Sequence, residues 1–501
     1  MPPERVDSLT RSTLRGGAWL SAAAIVQVVL QLITVGVLAR LLTPGDFGVV
    51  AAAMVVLELA QGIALMGMKP AVVQRAELSD GDMRTAHTIA IGLSTLLALL
   101  VFIAAAPIAA LLRTPAATPM LQVLALVFVV QAQSAVAEGL ASRRRQFGLL
   151  AIRRTLSYFV GYAVIGVGMA LLGFGAWALV AAKLGEATMA AILLSIGCRH
   201  PRRLLFDRAP MREFFGFGTG FSVSRIANSL ANQADYFVVA RTMGPAALGL
   251  YSRSYQIMRL PARLLGNVVE DAAFPSFSAI QSERERLARG LYRSLLLMNL
   301  LLFLAATGCA VLAPEIVAIA LGPQWDEAAP LLALFALALP FRSSQRLAST
   351  VSRSTGANWR IALGQIAYFL AVLLGAYLGS RWGLEGLVLG VTAAILLQTV
   401  LQFEIACRLT GLARRGVARA HLLPLPATLA FGVSLLAFAQ ELRNWTSSPL
   451  AVLVAATFAA SGVLAVGVLL CPRVFVPGDW QHFIERMMGK FMPTIRRRSE
   501  N

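Results

Sequence analysis

The sequence is a succession of apolar blocks, each long enough to cross a bilayer as a helix and separated by short hydrophilic connections. The blocks fall near 16–38, 47–68, 86–111, 119–140, 150–172, 174–197, 214–240, 247–273, 290–313, 328–348, 358–379, 384–406, 420–440 and 450–470. This rhythm predicts an all-α, polytopic transmembrane fold of about 14 helices. Composition agrees: 57% of residues are hydrophobic and only 14% are charged, and mean hydropathy is +0.71. A soluble domain carries about 25% charged residues, so lipid is the solvent that this surface suits. The first block follows the polar segment Met1–Arg15 and is too long for the apolar region of a signal peptide, so it reads as the first span. The eighth is the weakest block because it carries several charges.

The formal net charge of +19 would fit a nucleic-acid partner only if the basic residues clustered on a polar domain. They are scattered between the apolar blocks, so no nucleic acid is expected. Their distribution instead alternates from one connection to the next. One set holds Lys69, Arg75 and Arg84; Arg143, Arg144, Arg145, Arg153 and Arg154; Arg199, Arg202, Arg203, Arg208 and Arg212; and further groups at 284–293, 342–360 and 408–419. The other holds only Arg40, Arg113, Arg241, Arg381 and Arg443. About 34 of the 44 basic residues lie on the first side and about 5 on the second. The positive-inside rule makes the rich side cytoplasmic and places both termini there.

Connections on both faces are short, which leaves no room for a soluble catalytic domain. The chain is therefore expected to act within the membrane and not as an enzyme. No GxSxG, P-loop or HExxH motif occurs, and Gly216-x-Gly218-x-Gly220 follows no strand and reads as a helix-packing feature. The four cysteines are widely separated, and the four histidines fall in predicted hydrophilic connections. Neither a metal site nor a cofactor is expected.

A shift of 201 residues superimposes Ala39-Arg40-Leu41-Leu42-Thr43-Pro44 and Gly48 on Ala240-Arg241-Thr242-Met243-Gly244-Pro245 and Gly249. Polar positions coincide too: Gln27 with Asn228, Gln31 with Asn232, and Thr34 with Asp235. A nearby offset brings Ala106-Pro107-Ile108 onto Ala313-Pro314-Glu315. The offset spans about six helices, an even number, so the halves enter the membrane in the same orientation as parallel repeats. The expected organisation is an N-terminal six-helix lobe over 1–200, a second over 201–410, two added helices over 411–471, and a basic cytoplasmic tail over 472–501.

Polar side chains inside a membrane are costly and mark a cavity or pathway. Arg225, Asn228, Asn232 and Asp235 share one helical face of the seventh span. Gln27, Gln31 and Thr34 form the corresponding stripe on the first. Lining of a shared cavity and interhelical hydrogen bonding are both open to the amides; the charged ends favour the cavity. The eighth span holds Tyr251, Arg253, Tyr255, Gln256, Arg259, Arg263, Glu270 and Asp271. Arg259 and Arg263 share a face, with Pro261 between them permitting a kink. Two guanidiniums facing water suit a pyrophosphate or carboxylate. Pairing of either with Glu58, the position equivalent to Arg259, or with Glu138 is the competing reading. Lys183 and Glu186, three apart, are spaced to pair.

Several motifs in order carry a resemblance: Leu38-Ala39-Arg40-Leu41-Leu42-Thr43-Pro44-Gly45-Asp46-Phe47-Gly48, Val73-Gln74-Arg75, Gly173-Phe174-Gly175-Ala176-Trp177-Ala178-Leu179-Val180, Asp235-Tyr236-Phe237-Val238-Val239-Ala240-Arg241, Leu248-Gly249-Leu250-Tyr251-Ser252-Arg253, Phe274-Pro275 and Leu321-Gly322-x-x-Trp325. In these the chain resembles bacterial polysaccharide exporters of the multidrug/oligosaccharidyl-lipid/polysaccharide superfamily, with a MATE-like pair of lobes. It is most similar to flippases of the lipopolysaccharide and colanic-acid type, over about residues 8–410.

The resemblance implies a flippase of the bacterial inner membrane. It would translocate an undecaprenyl-pyrophosphate-linked oligosaccharide repeat unit by alternating access through a cationic cavity, with no cofactor. Its implied partners are the lipid-linked oligosaccharide, membrane lipid, and the polysaccharide polymerase with its chain-length machinery. Arg225, Asn228, Asn232, Asp235, Arg253, Arg259, Arg263, Gln27 and Gln31 are the candidate cavity residues. Asp235, Glu58 and Glu138 are the carboxylates that could couple an ion gradient. Two alternatives are an ion-coupled drug antiporter of the same fold, which an arginine-rich cavity disfavours, and a membrane polysaccharide polymerase or ligase, which short extracytoplasmic loops disfavour.

Overall fold

The computed structural model describes residues 26–64, 71–73, 75, 77–201, 203–262, 273, 276–354 and 358–470. Within them every extended element is helical, and no strand occurs among the described residues. In chain order the helices are α1 (Val26–Leu41), α2 (Pro44–Ala64), α3 (Asp80–Leu111), α4 (Ala117–Leu124), α5 (Leu126–Arg143), α6 (Phe147–Tyr158), a π-helical segment (Phe159–Gly166), α7 (Val167–Leu171), α8 (Ala176–Gly197) and α9 (Arg208–Pro261). Next come α10 (Arg284–Val311), α11 (Ala313–Ala320), a 3-10 turn (Pro323–Trp325), α12 (Ala328–Ser354), α13 (Asn358–Gly379), a 3-10 turn (Ser380–Trp382), α14 (Gly383–Thr410), α15 (Arg414–Leu422), α16 (Leu425–Trp445) and α17 (Pro449–Leu470). Among the described residues nine helical stretches are long and apolar enough to cross a membrane. All fourteen apolar blocks coincide with helix where they are described, the seventh and eighth sharing α9 and the first described from residue 26.

Helix boundaries follow local chemistry. Ser79 opens α3 with a capping box: Asp82 N donates to Ser79 Oγ at 3.1 Å and Ser79 N to Asp82 Oδ2 at 2.9 Å. Arg75 also pairs with Asp82 at 3.1 Å. The long α9 is interrupted at Gly244, where φ is 82° and ψ −176°, a backbone state open essentially to glycine alone.

The chain gathers into two compact units. One comprises Met1–Arg253, Ala320–Asp326 and Gln365–Val391. Its core is built on small residues, with Ala86, Ala132, Ala137 and Ala141 fully buried beside Val136 and Leu194. Small residues let membrane helices approach closely, since lipid offers no hydrophobic drive for association. Gly161 lies against the backbone of Ala182 and Glu186 on α8. Gly375 and Gly379 of α13 face Gly390 and Gly386 of α14, a glycine at every fourth residue on both helices.

The second unit comprises Ser254–Ile319, Glu327–Gly364 and Thr392–Asn501. In it α16 and α17 pack on the end of α10 through Leu312, Leu435, Ala439, Val452, Ala456 and Ala460. Arg443 adds a two-point ion pair to the buried Glu315, at 2.7 and 3.0 Å. Asn299, fully buried on α10, donates to Ala420 O at 3.1 Å and accepts from Ser344 Oγ at 2.7 Å.

Candidate functional site

Several of the sequence motifs converge on one place in the first unit, the turn between α1 and α2. Asp46 organises it: its Oδ2 accepts from Thr43 N at 2.9 Å and Thr43 Oγ1 at 2.7 Å, and its Oδ1 accepts from Ala176 N at 3.1 Å. One carboxylate thus caps α2 and also meets the N-terminus of α8, where the positive end of the helix favours an anion. The carbonyls that end α1 are capped from the Leu321-Gly322-x-x-Trp325 segment. Trp325 Nε1 donates to Ala39 O at 2.8 Å, and Gln324 Nε2 donates to Leu42 O at 3.0 Å and also to Ala39 O.

The two repeats meet reciprocally at this turn. Gly48 lies against the backbone of Pro245, and Gly249 against that of Pro44. A shift of 201 residues exchanges the two contacts, so a local pseudo-twofold axis runs between them. A Cβ on either glycine would overlap the facing carbonyl.

Functional side chains radiate from the junction. The Phe47 ring meets Trp325 edge-on, with centroids 5.3 Å apart, and carries the Arg253 guanidinium 4.6 Å from its own centroid. Arg253 Nε is buried and bonds no acceptor among the described residues. Asp235 is buried on α9, accepting from Tyr251 Oη at 2.7 Å and from Tyr236 N at 3.0 Å. Glu58 of α2 accepts from Gln233, and its backbone carbonyl accepts from Ser229 Oγ at 3.2 Å.

Across the same unit Lys183 and Glu186 pair at 2.8 Å. Tyr158 and Tyr162, stacked at 4.7 Å, sit at the start of the π-helical segment, a distortion that recurs at functional sites. Tyr162, Glu186 and Glu58 lie within electrostatic reach of Lys183, and Tyr158, Tyr162 and Tyr236 within reach of Arg253. Cations, carboxylates and phenols are thereby collected inside helices of membrane-spanning length.

In the second unit Tyr255 is buried edge-on to Phe335, with centroids 5.1 Å apart. Two guanidiniums converge on its ring, Arg259 at 5.6 Å and Arg342 at 5.2 Å. Ser254 Oγ anchors this stretch to α12 by donating to Ala328 O at 2.9 Å. Two cations held by one ring form a clamp for an anion.

The structure puts the expected residues in unequal surroundings. Asn228 is exposed and its carbonyl accepts from Asn232 Nδ2 at 2.7 Å, a bond within α9. Gln27 is buried with its Oε1 unbonded among the described residues, and Gln31 is half-buried. Glu138 pairs with Arg153 at 2.9 Å. The side chains of Arg225 and Arg263 lie outside the described residues. Two histidines expected in solvated connections are on helices instead: His87 is buried on α3 against His200, and His421 packs on Phe341 and Phe403. Local hydrophilicity misassigned them because an imidazole packs readily against rings. Sequence reasoning also overlooked Arg342, which charge counting placed with a cytoplasmic connection but which lies within α12. Its position two residues after Pro340 in an apolar run was the available signal. Phe47 as the seat of Arg253 had no local signal, since that contact joins residues 206 apart in sequence.

A family model described as "Polysaccharide biosynthesis protein" matches residues 37–330. The chain is 32% identical over 312 residues to the succinoglycan biosynthesis transport protein ExoT of Rhizobium meliloti (strain 1021), a match covering 62% of each chain. It is 24% identical to the lipopolysaccharide biosynthesis protein WzxC of Escherichia coli (strain K12), over 79% of this chain and 81% of that protein. In fold it is similar to the lipid II flippase MurJ in an inward closed conformation, with a TM-score of 0.73, 12% identity, and coverage of 91% of this chain and 99% of the other.

Proposed function

Because the chain belongs to the polysaccharide biosynthesis protein family, we propose that it is a flippase that carries an undecaprenyl-pyrophosphate-linked oligosaccharide repeat unit across the bacterial inner membrane. It is a multi-pass membrane transporter, and both termini lie in the cytoplasm, the side rich in basic residues. The relatives' names support the substrate class: one is a transport protein of succinoglycan biosynthesis, another serves lipopolysaccharide biosynthesis, and the structural neighbour flips lipid II.

The observation that carries the reading is Arg253, a guanidinium on α9 seated on Phe47, whose buried Nε has no acceptor among the described residues. An unmatched charged donor at membrane depth is costly and therefore retained for a ligand. Arg259 and Arg342 on Tyr255 supply a second cationic group. Guanidiniums bind pyrophosphate oxygens through paired hydrogen bonds, which suits an anionic head group that must leave water. Residues 1–200 and 201–410 act as the two lobes that open the cavity alternately to each side, with 411–471 appended and 472–501 as a cytoplasmic tail. Asp235, Glu58 and Glu138 are the carboxylates available for ion coupling. The polysaccharide polymerase and its chain-length machinery take over the flipped product.

Reconstitution into proteoliposomes with a fluorescent lipid-linked oligosaccharide tests the proposal. Arg259→Ala and Arg263→Ala are each expected to slow flipping about tenfold or more, the loss of roughly 1.4 kcal/mol, while the protein stays folded and inserted. Wild-type rates from both would remove the anion site.

A further inference from the structure

The π-helical segment of the first unit brings two phenols against an ion pair. Gly161 allows the approach: a Cβ there would stand 2.6 Å from both Ala182 O and Glu186 N, so only glycine lets the two backbones touch. Tyr158 and Tyr162, one on either side of Gly161, thereby come within electrostatic reach of Glu186, and Tyr162 of Lys183 as well. Both phenols also lie within reach of Arg253.

Most of the hydrogen-bonding capacity of these side chains is unspent. Lys183 uses one N–H, on Glu186 Oε2 at 2.8 Å. Neither phenol hydroxyl nor Glu186 Oε1 bonds anything among the described residues, and none of these three oxygens is sealed within the packing. The Lys183 and Glu186 side chains are 19% and 26% exposed. Charges left part-exposed on a helix of membrane-spanning length face water and not lipid, so the cluster opens on an aqueous path.

Its charges are balanced. Lys183 is faced by Glu186 and, within electrostatic reach, by Glu58, which leaves it no surplus for a second anion. Glu186 is held by Lys183 and offers little to a free cation. What remains is donors and acceptors side by side with two apolar ring bodies. A sugar hydroxyl donates and accepts at once, and the C–H faces of a pyranose suit aromatic rings.

We infer that Tyr158, Tyr162, Lys183 and Glu186 bind the sugar next to the pyrophosphate, a neutral hexose, while Arg253 holds the phosphate. The assignment rests on the flippase reading above and adds to it the place and the charge of the first sugar. A uronate in this position would bring a third carboxylate beside Glu186 and Glu58, and like charges so placed repel.

Native mass spectrometry of the full chain tests the site, with undecaprenyl pyrophosphate as the probe, bare or carrying one glucose, galactose or glucuronic acid residue. A hydrogen bond to a charged group adds about tenfold in affinity, so glucose or galactose is expected to tighten binding by at least that factor, and glucuronic acid by less. K183M/E186M removes both charges together, leaving neither partner unmatched, and is expected to lose the preference for the hexose-bearing carriers. Y158F/Y162F keeps the rings and is expected to lower that preference about threefold, the effect of neutral hydrogen bonds. Arg253→Ala is expected to weaken every carrier alike, which separates the phosphate contact from the sugar contact. Equal binding of bare and hexose-bearing carriers by the wild type, or an unchanged preference in both variants, would reduce the cluster to a structural ion pair and overturn the inference. Tighter binding of the glucuronic acid carrier would overturn the neutral assignment, and no binding of any carrier would overturn the flippase reading together with it.

Discussion

The two repeats break their helices at equivalent positions by different means. In the first, Thr43 and Asp46 exchange side-chain hydrogen bonds and α2 starts afresh at Pro44. In the second, the same stretch reads Gly244-Pro245-Ala246-Ala247, and a glycine in a conformation barred to other residues bends α9 without any cap. Beyond the breaks the repeats differ more. The first continues with Val50, Ala51, Ala52, Met54 and Glu58; the second has Tyr251, Ser252, Arg253, Tyr255 and Arg259 at those positions. Upstream, Thr34 corresponds to Asp235, the partner of Tyr251. Just beyond the break the first copy presents mainly apolar side chains, whereas the second carries charged and phenolic groups. The contact that joins them, Gly48 on Pro245 and Gly249 on Pro44, stayed symmetric because a close backbone approach leaves no room for a side chain on either side.

Breaking the symmetric contact should have the largest effect. Gly48→Val and Gly249→Val each drive a side chain into a backbone carbonyl, at a cost of at least about 3 kcal/mol. Both are expected to abolish monodisperse protein on size-exclusion in detergent; a normal yield from either would mean that the junction can separate. Next is the chemical asymmetry. Arg253→Ala is expected to lower flipping about tenfold with little change in melting temperature, and Ala52→Arg in the same protein should not restore it. Restoration would make the repeats interchangeable.

A smaller effect is expected from the Asp235–Tyr251 bond, which a double-mutant cycle with Asp235→Asn and Tyr251→Phe isolates. A hydrogen bond to a charged group contributes about 1.5–3 kcal/mol, so coupling within experimental error would show that Asp235 is held by other groups. The smallest belongs to the cap. Asp46→Ala should cost about 1 kcal/mol in thermal unfolding, whereas Ala247→Asp should stabilise nothing, because Gly244 offers no hydroxyl to reciprocate. A gain from Ala247→Asp would show that the second break can be capped like the first.

Much of the fold was legible in the sequence because lipid imposes a coarse rule: apolar segments of sufficient length become helices. The span rhythm, the shift of 201 residues, and the pairing of Lys183 with Glu186 all depend on local periodicity. The weakness of the eighth block also had a readable cause, since Tyr251, Arg253, Tyr255 and Arg259 were plain in it. What those side chains touch was decided only in three dimensions. The spacing along one helix could align Arg225, Asn228, Asn232 and Asp235, but it could not show that Asp235 is bound by Tyr251, that Phe47 seats Arg253, or that Arg342 joins Arg259 at Tyr255. Nor could it show that the motifs identifying the family build a junction between repeats. Helical periodicity is a property of neighbours along the chain, whereas caps, ring contacts and backbone-to-backbone approach are made between segments that only packing brings together.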